Sequence, residues 1–226
     1  MNKSTFQNSL SVSGLITKLW IIVGALVGIH VLLNLFHYQV YDLPWLARQI
    51  FDVDEEDSFP TWYSASALLL TSVFLGIKAS HSRQLKESVA WHWYGLALGF
   101  VLLSVDEIAG MHETLNSLID ISWAIPGGVF ALFLAGVYSM FLIQIERRMA
   151  IQFVIGGVFF VGGAVGVELL TEPYLENDEL DTLAYNLWTA IEEAMEMGGV
   201  LVFLRALLQS MKGNSARAEI CVELRD

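Results

Sequence analysis

The sequence predicts an all-α integral membrane protein, a bundle of six transmembrane helices with both termini in the cytoplasm. Three observations predict it. The 226 residues are 55% hydrophobic and only 16% charged, whereas a soluble domain carries about 25% charged residues. The apolar residues are gathered into long blocks, the pattern of lipid-facing helices rather than of a water-soluble core. The basic residues, Arg48 apart, fall in alternate connections between those blocks, as cytoplasmic loops require.

A spanning helix needs about 20 mostly apolar residues, and six stretches approach that length. They are residues 19–36, 62–77, 91–112, 125–145, 149–170 and 187–208. The first carries no formal charge, and no small-x-small cleavage site follows it, so it is expected to remain as a span. The second is short unless Thr61 and Lys78 extend it. The third ends in a charged turn that reads as a helix continuing through Glu113. The fifth is glycine-rich, and its Gly162 and Gly166 make a small-xxx-small pair for close helix packing. The sixth contains three glutamates. This divides the chain into a cytoplasmic N-terminus (1–18), a transmembrane domain (19–209) and a polar cytoplasmic tail (210–226).

Orientation follows from charge. Lys3 and Lys18 precede the first stretch, Lys78, Arg83 and Lys86 follow the second, Arg147 and Arg148 follow the fourth, and Arg205, Lys212, Arg217 and Arg225 close the chain. The other connections hold Asp52 to Asp57, then Asp120, then Glu172 to Asp181. Trp45, Trp62, Trp91, Trp93, Trp123 and Trp188 fall near span ends, where indole rings settle. Trp62 and Tyr63 are expected to anchor the interface, and His30 and His37 to be packing residues. The net charge of -12 excludes nucleic-acid binding, which needs a basic surface. Cys221 is the single cysteine, so neither an intrachain disulfide nor a thiolate metal site is available.

The residues that carry chemistry lie at the outer ends of three spans. Asp106, Glu107, His112 and Glu113 close the third, Glu168 ends the fifth, and Glu192, Glu193 and Glu196 open the sixth. Within a continuous helix Asp106 and Glu113 share a face, with Gly110 leaving room beside them. Glu192 and Glu196 share another, which Thr189 and Gly199 extend. Glu55 and Glu56, in the acidic loop, are placed to reach over the site. Facing carboxylates repel unless they are protonated, paired with a basic side chain, or bridged by a metal. Basic residues are nearly absent from this side, which leaves a proton or a cation. The alternative is that these groups are solvated caps, favoured in span six by the helix dipole.

Six residues are the expected ligands or general base: Asp106, His112, Glu113, Glu168, Glu192 and Glu196, with Glu55, Glu56, Glu107 and Glu193 in support. Oxygen donors with one imidazole suit a divalent Fe, Mn or Zn ion. The Glu-x-x-His pairs of di-iron bundles are absent. The segments Phe-Pro-Thr-Trp-Tyr-Ser (59–64), Ser-Val-Asp-Glu…His-Glu (104–113) and Glu-Glu-Ala-Met-Glu-Met-Gly (192–198) resemble a family of uncharacterised bacterial multipass membrane proteins. The resemblance implies a bacterial inner-membrane location and brings no activity. The Glu-Glu pair is shared with CAAX-type intramembrane proteases, but position 197 is Met and no histidine follows Glu193.

Three functions fit these residues. One is a metal-dependent membrane enzyme acting on a lipid-like or quinone-like substrate. The second is a cation or proton transporter using the same carboxylates. The third is a structural or sensory subunit. The expected partner is the lipid bilayer, with a homo-oligomer left open.

Overall fold

A computed structural model describes residues 11–118 and 121–212. Asp120, Lys3, Arg217, Cys221 and Arg225 lie outside the described residues, as does the side chain of Glu113. The described chain is helical, without strands. Helix α1 (Val12–Gln39) is capped by Ser11, whose side chain accepts from the Gly14 amide. It begins inside the segment expected to be a cytoplasmic tail. A short α2 (Trp45–Gln49) follows. Helix α3 (Phe59–Gln84) opens on Ser58, which accepts from the Thr61 amide, with Pro60 in its first turn. At 26 residues it is not the short span that residues 62–77 suggested.

Helix α4 (Ala90–Ala109) lies along α3. The Ser72 hydroxyl donates to Ala97 O and the Ser104 hydroxyl to Ala65 O, each at 2.8 Å, so the pair is pinned at two levels. Helix α4 does not continue through Glu113. It stops at Gly110, which adopts φ 52° and ψ 40°. Glycine reaches this left-handed conformation without the cost a Cβ brings. A new helix, α5 (Met111–Leu118), then starts in a different direction. The one-face alignment of Asp106 with Glu113 therefore does not hold.

Helix α6 (Ala124–Gln144) is the least buried, packing against the helix that follows it. That helix is one 30-residue rod from Arg147 to Glu176. It consists of α7 (Arg147–Val161), a π-helical stretch (Gly162–Val167) and α8 (Glu168–Glu176). Helix α9 (Leu183–Met211) is the centre of the bundle, packed by α1, α3 and α7. Five helices are long and apolar enough to cross a membrane. Helix α4 is not among them, because Trp91, His92, Trp93 and Tyr94 at one end and Asp106 and Glu107 at the other dilute its apolar stretch.

Close packing of α7 on α9 does not use Gly162 and Gly166. A Cβ on Gly166 would meet nothing, and one on Gly162 only the flexible end of Met195. The backbones approach at Gly156 and Gly199 instead, and again at Gly163, where a Cβ would lie 2.8 Å from Glu192 O. One end of the bundle is filled by aromatic rings. Phe153 and Phe203 stack with centroids 3.7 Å apart, and Trp93 sits edge-on to Phe141 and Phe153.

His30 is a structural tie, as a packing residue should be. It is buried, its Nε2 donates to Asn186 O at 3.0 Å, and its Nδ1 accepts from the Val53 amide at 3.2 Å. It thereby joins α1, the acidic loop and α9. Replacing His30 with Ala removes the acceptor of the Val53 amide, at about 1–3 kcal/mol, while Asn186 O keeps the Thr189 hydroxyl. A matching fall in thermal midpoint is expected. Tyr63 is not an interface anchor: its hydroxyl turns into the bundle and donates to Leu19 O at 2.9 Å. Trp62 remains exposed.

Candidate functional site

At the end opposite the aromatic plug, the helices enclose a chamber of about 1680 Å³. Helices α4, α6 and α9, the Arg147–Glu176 rod and the loop before α3 supply its walls. The chain brings these ends together because α4 and the rod finish where α6 and α9 begin. Twelve Asp and Glu side chains line the chamber with one histidine, and no Lys or Arg does so among the described residues.

The gathering includes most of the residues singled out from sequence. Asp106, Glu107, His112, Glu168, Glu192, Glu193 and Glu196 all line it, as do Glu55 and Glu56. Each charge of the α9 group acts on the others. Glu193 interacts with Glu196, Glu107, Glu192 and Asp54, while Glu196 interacts with Glu107, Glu192, Glu168 and Asp106. Glu107 hydrogen-bonds Ser64 of α3. Glu193 and Glu196 are deeply enclosed, open only where they face the chamber, and show no hydrogen bond or ion pair among the described residues.

The Gly110 turn gives Asp106 and His112 a relation that a continuous helix would not. Asp106 Oδ1 accepts from the His112 amide at 3.1 Å, and Oδ2 lies 2.9 Å from His112 Nδ1. The carboxylate thus caps the start of α5 and fixes the imidazole with Nδ1–H as donor. The His112 ring sits 4.9 Å from that of Trp123, whose indole N–H donates to Glu168 Oε1 at 3.2 Å. One chain of contacts therefore joins the ends of α4, α5, α6 and α8. Gly110 does not leave empty space: a Cβ there would collide with the Glu56 carboxylate. Gly110→Ala should therefore displace Glu56 and add left-handed strain of about 1–2 kcal/mol, seen as a lower thermal midpoint.

Several lining residues escaped the sequence reading. Asp54 accepts from the Tyr185 hydroxyl at 3.0 Å and interacts with Glu192 and Glu193. Tyr185 is seven residues before Glu192 on α9, so helical periodicity alone places both on one face. No comparable signal marks Asp54, Trp123 or Ser64, which only the fold brings near. Arg48, the basic residue between α1 and α3, is engaged elsewhere. It lies 2.9 Å from His37 Nε2, donates to the Tyr38 hydroxyl, and is 3.4 Å from Asp181. The Tyr38 hydroxyl donates to Asp181, and this bond, with Arg48 beside it, holds that carboxyl below the usual range.

Among the described residues, no group of three or more His, Cys, Asp or Glu side chains is drawn together tightly enough to hold a metal ion. The carboxylates line a volume rather than converge on a point. A family model described as "Domain of unknown function (DUF8692)" matches residues 19–211. No curated protein matches the chain, and no solved structure does.

Proposed function

Because the chain belongs to the DUF8692 family, whose description assigns no activity, we propose its function from the chamber: it is a membrane protein that captures a positively charged ligand. One observation carries this reading. Twelve carboxylates share a partly enclosed volume to which the described chain contributes no Lys or Arg. In such surroundings charges interact more strongly than in water. A group of like charges gathered there favours a proton or a cation as guest.

The six-span arrangement belongs to the same reading. With α4 counted as a span, both termini lie in the cytoplasm of a bacterial inner membrane, and the chamber opens on the outer side. The alternation of Lys and Arg between connections supports this.

Transport across the bilayer is less favoured than capture at one face. The opposite end is filled by Trp93, Phe141, Phe153, Phe203 and Leu207, a tightly packed, largely apolar barrier to a bare ion. An enzymatic reading is favoured by one feature, the Asp106–His112 pair. An imidazole oriented by a carboxylate is the arrangement of a general base. A divalent Fe, Mn or Zn ion would draw on His112, Asp106, Glu168, Glu192 and Glu196 and would have to pull them inward, in which case it would activate water for the same base.

Thermal unfolding of the purified protein with and without added Mn²⁺ or methylammonium tests the proposal. A ligand at 100 times its Kd stabilises by about 2.7 kcal/mol. A raised midpoint is expected with at least one of the two cations, and an unchanged midpoint with both would count against the reading. Asp106→Asn separates the enzymatic arm, since eleven carboxylates remain to bind methylammonium while the imidazole loses its carboxylate partner.

A further inference from the structure

Helices α4 and α6 form a V. At one end they touch: the Tyr138 hydroxyl donates to His92 O at 3.2 Å, and His92 stacks on Phe141 with centroids 5.4 Å apart. Toward the carboxylates they part, and the chamber continues down the cleft between them. Its walls there are apolar, with Leu96, Phe100 and Leu103 on α4 and Phe130, Ala131 and Leu134 on α6. Leu103, Phe130 and Leu134 remain exposed, so the chain's own side chains do not close the cleft. From Gly95 at its foot to Glu107 at its head the cleft runs about 18 Å, at 1.5 Å per helical residue. One leaflet of hydrocarbon is about 15 Å deep.

We propose that the chamber takes a long-chain amine, with its ammonium group among Glu107, Glu192, Glu193 and Glu196 and its hydrocarbon tail in the α4–α6 cleft. This rests on the cation-capture reading and names the ligand class. Two separate features meet in it. Glu193 and Glu196 are enclosed carboxylates without hydrogen-bond partners among the described residues, aimed into the chamber. The cleft is an apolar path about one leaflet deep, continuous with them. A bare ion has no use for the cleft. A neutral alcohol brings the carboxylates no positive charge in place of their protons, and a zwitterionic phospholipid brings its phosphate against them. Only a head with net positive charge satisfies both parts.

The test uses the full chain in nanodiscs of zwitterionic lipid and a hexadecylamine carrying a diazirine in its chain. Illumination is expected to label cleft-facing residues of α4 and α6. Excess hexadecylamine should reduce labelling about tenfold and hexadecanol should not. Gly99→Phe fills the cleft from α4, where a Cβ meets nothing within 4 Å. It should also cut labelling about tenfold while methylammonium binding persists. Ala131→Phe fills the same cleft from α6 and stands in if the first variant does not fold. Equal competition by hexadecanol, labelling spread over α1, or full labelling of a filled cleft would each overturn the inference. Absent labelling with methylammonium still bound overturns the amine alone. Absence of both overturns the cation-capture reading beneath it.

Discussion

The double variant Glu193→Gln, Glu196→Gln is expected to be more heat-stable than the parent chain in cation-free buffer and to have lost cation binding. Both carboxylates are deep in the chamber, close to Glu107, Glu192 and one another. Amides of nearly the same shape remove the repulsion and keep the packing. Relieving a strained functional site commonly adds about 0.5–2 kcal/mol per substitution. A chain of this size gains about 2–4 °C in midpoint for each kcal/mol. Were these groups merely solvated caps, exchange would change stability by no more than about 0.5 kcal/mol. Thermal unfolding of the two single variants and the double variant decides between them, because interacting neighbours give non-additive shifts.

Gly199→Val is expected to have the largest destabilising effect. A Cβ at Gly199 would lie 2.7 Å from Phe160 N, with Gly156 O closer still. Both obstacles are backbone, so no side-chain rotation relieves the clash and the two rods must separate. Overpacking a fixed interior costs about 1–3 kcal/mol even where side chains can shift, and more is expected here. The same movement carries Glu192 and Glu196 away from Glu168, so cation binding should fall together with stability. Gly166→Val, on the same rod but with nothing near its Cβ, is the control and should leave both nearly unchanged. Size-exclusion profiles and thermal midpoints of the two variants check this.

The long apolar blocks were legible in the sequence because a membrane demands consecutive apolar residues, and each falls on a helix, although the third runs past the end of α4 at Ala109. Their ends were less legible. Ser58 and Pro60 signal a helix start in any protein, yet hydropathy alone began the second stretch at residue 62. Gly110 was read as room on a helix face, whereas its backbone conformation ends the helix and turns His112 onto Asp106. A single glycine in an apolar run does not announce which of the two it does. The glycines of the fifth stretch marked the close approach to α9, but spacing could not say which of them touch. Gly156 and Gly163, seven residues apart and so on one face of the rod, are the ones that do.

The carboxylates were found for a simpler reason. Charge at the end of an apolar run is conspicuous, and alternation of sides places three such ends at one level. The cleft between α4 and α6 was not foreseen, since both helices are apolar almost throughout and only their divergence in space makes a path. Asp54 was likewise hidden in an acidic loop that reads as solvated.

Cation binding with proton release counted in the same titration tests the central claim most directly. Methylammonium or Mn²⁺ is added to weakly buffered protein at neutral pH while bound cation and pH are both recorded. If the carboxylates share a volume and require a positive guest, cation uptake by the parent chain displaces protons, and the Glu193→Gln, Glu196→Gln chain neither binds nor releases. Equal binding by both chains, or no uptake of either cation by the parent, would contradict the account.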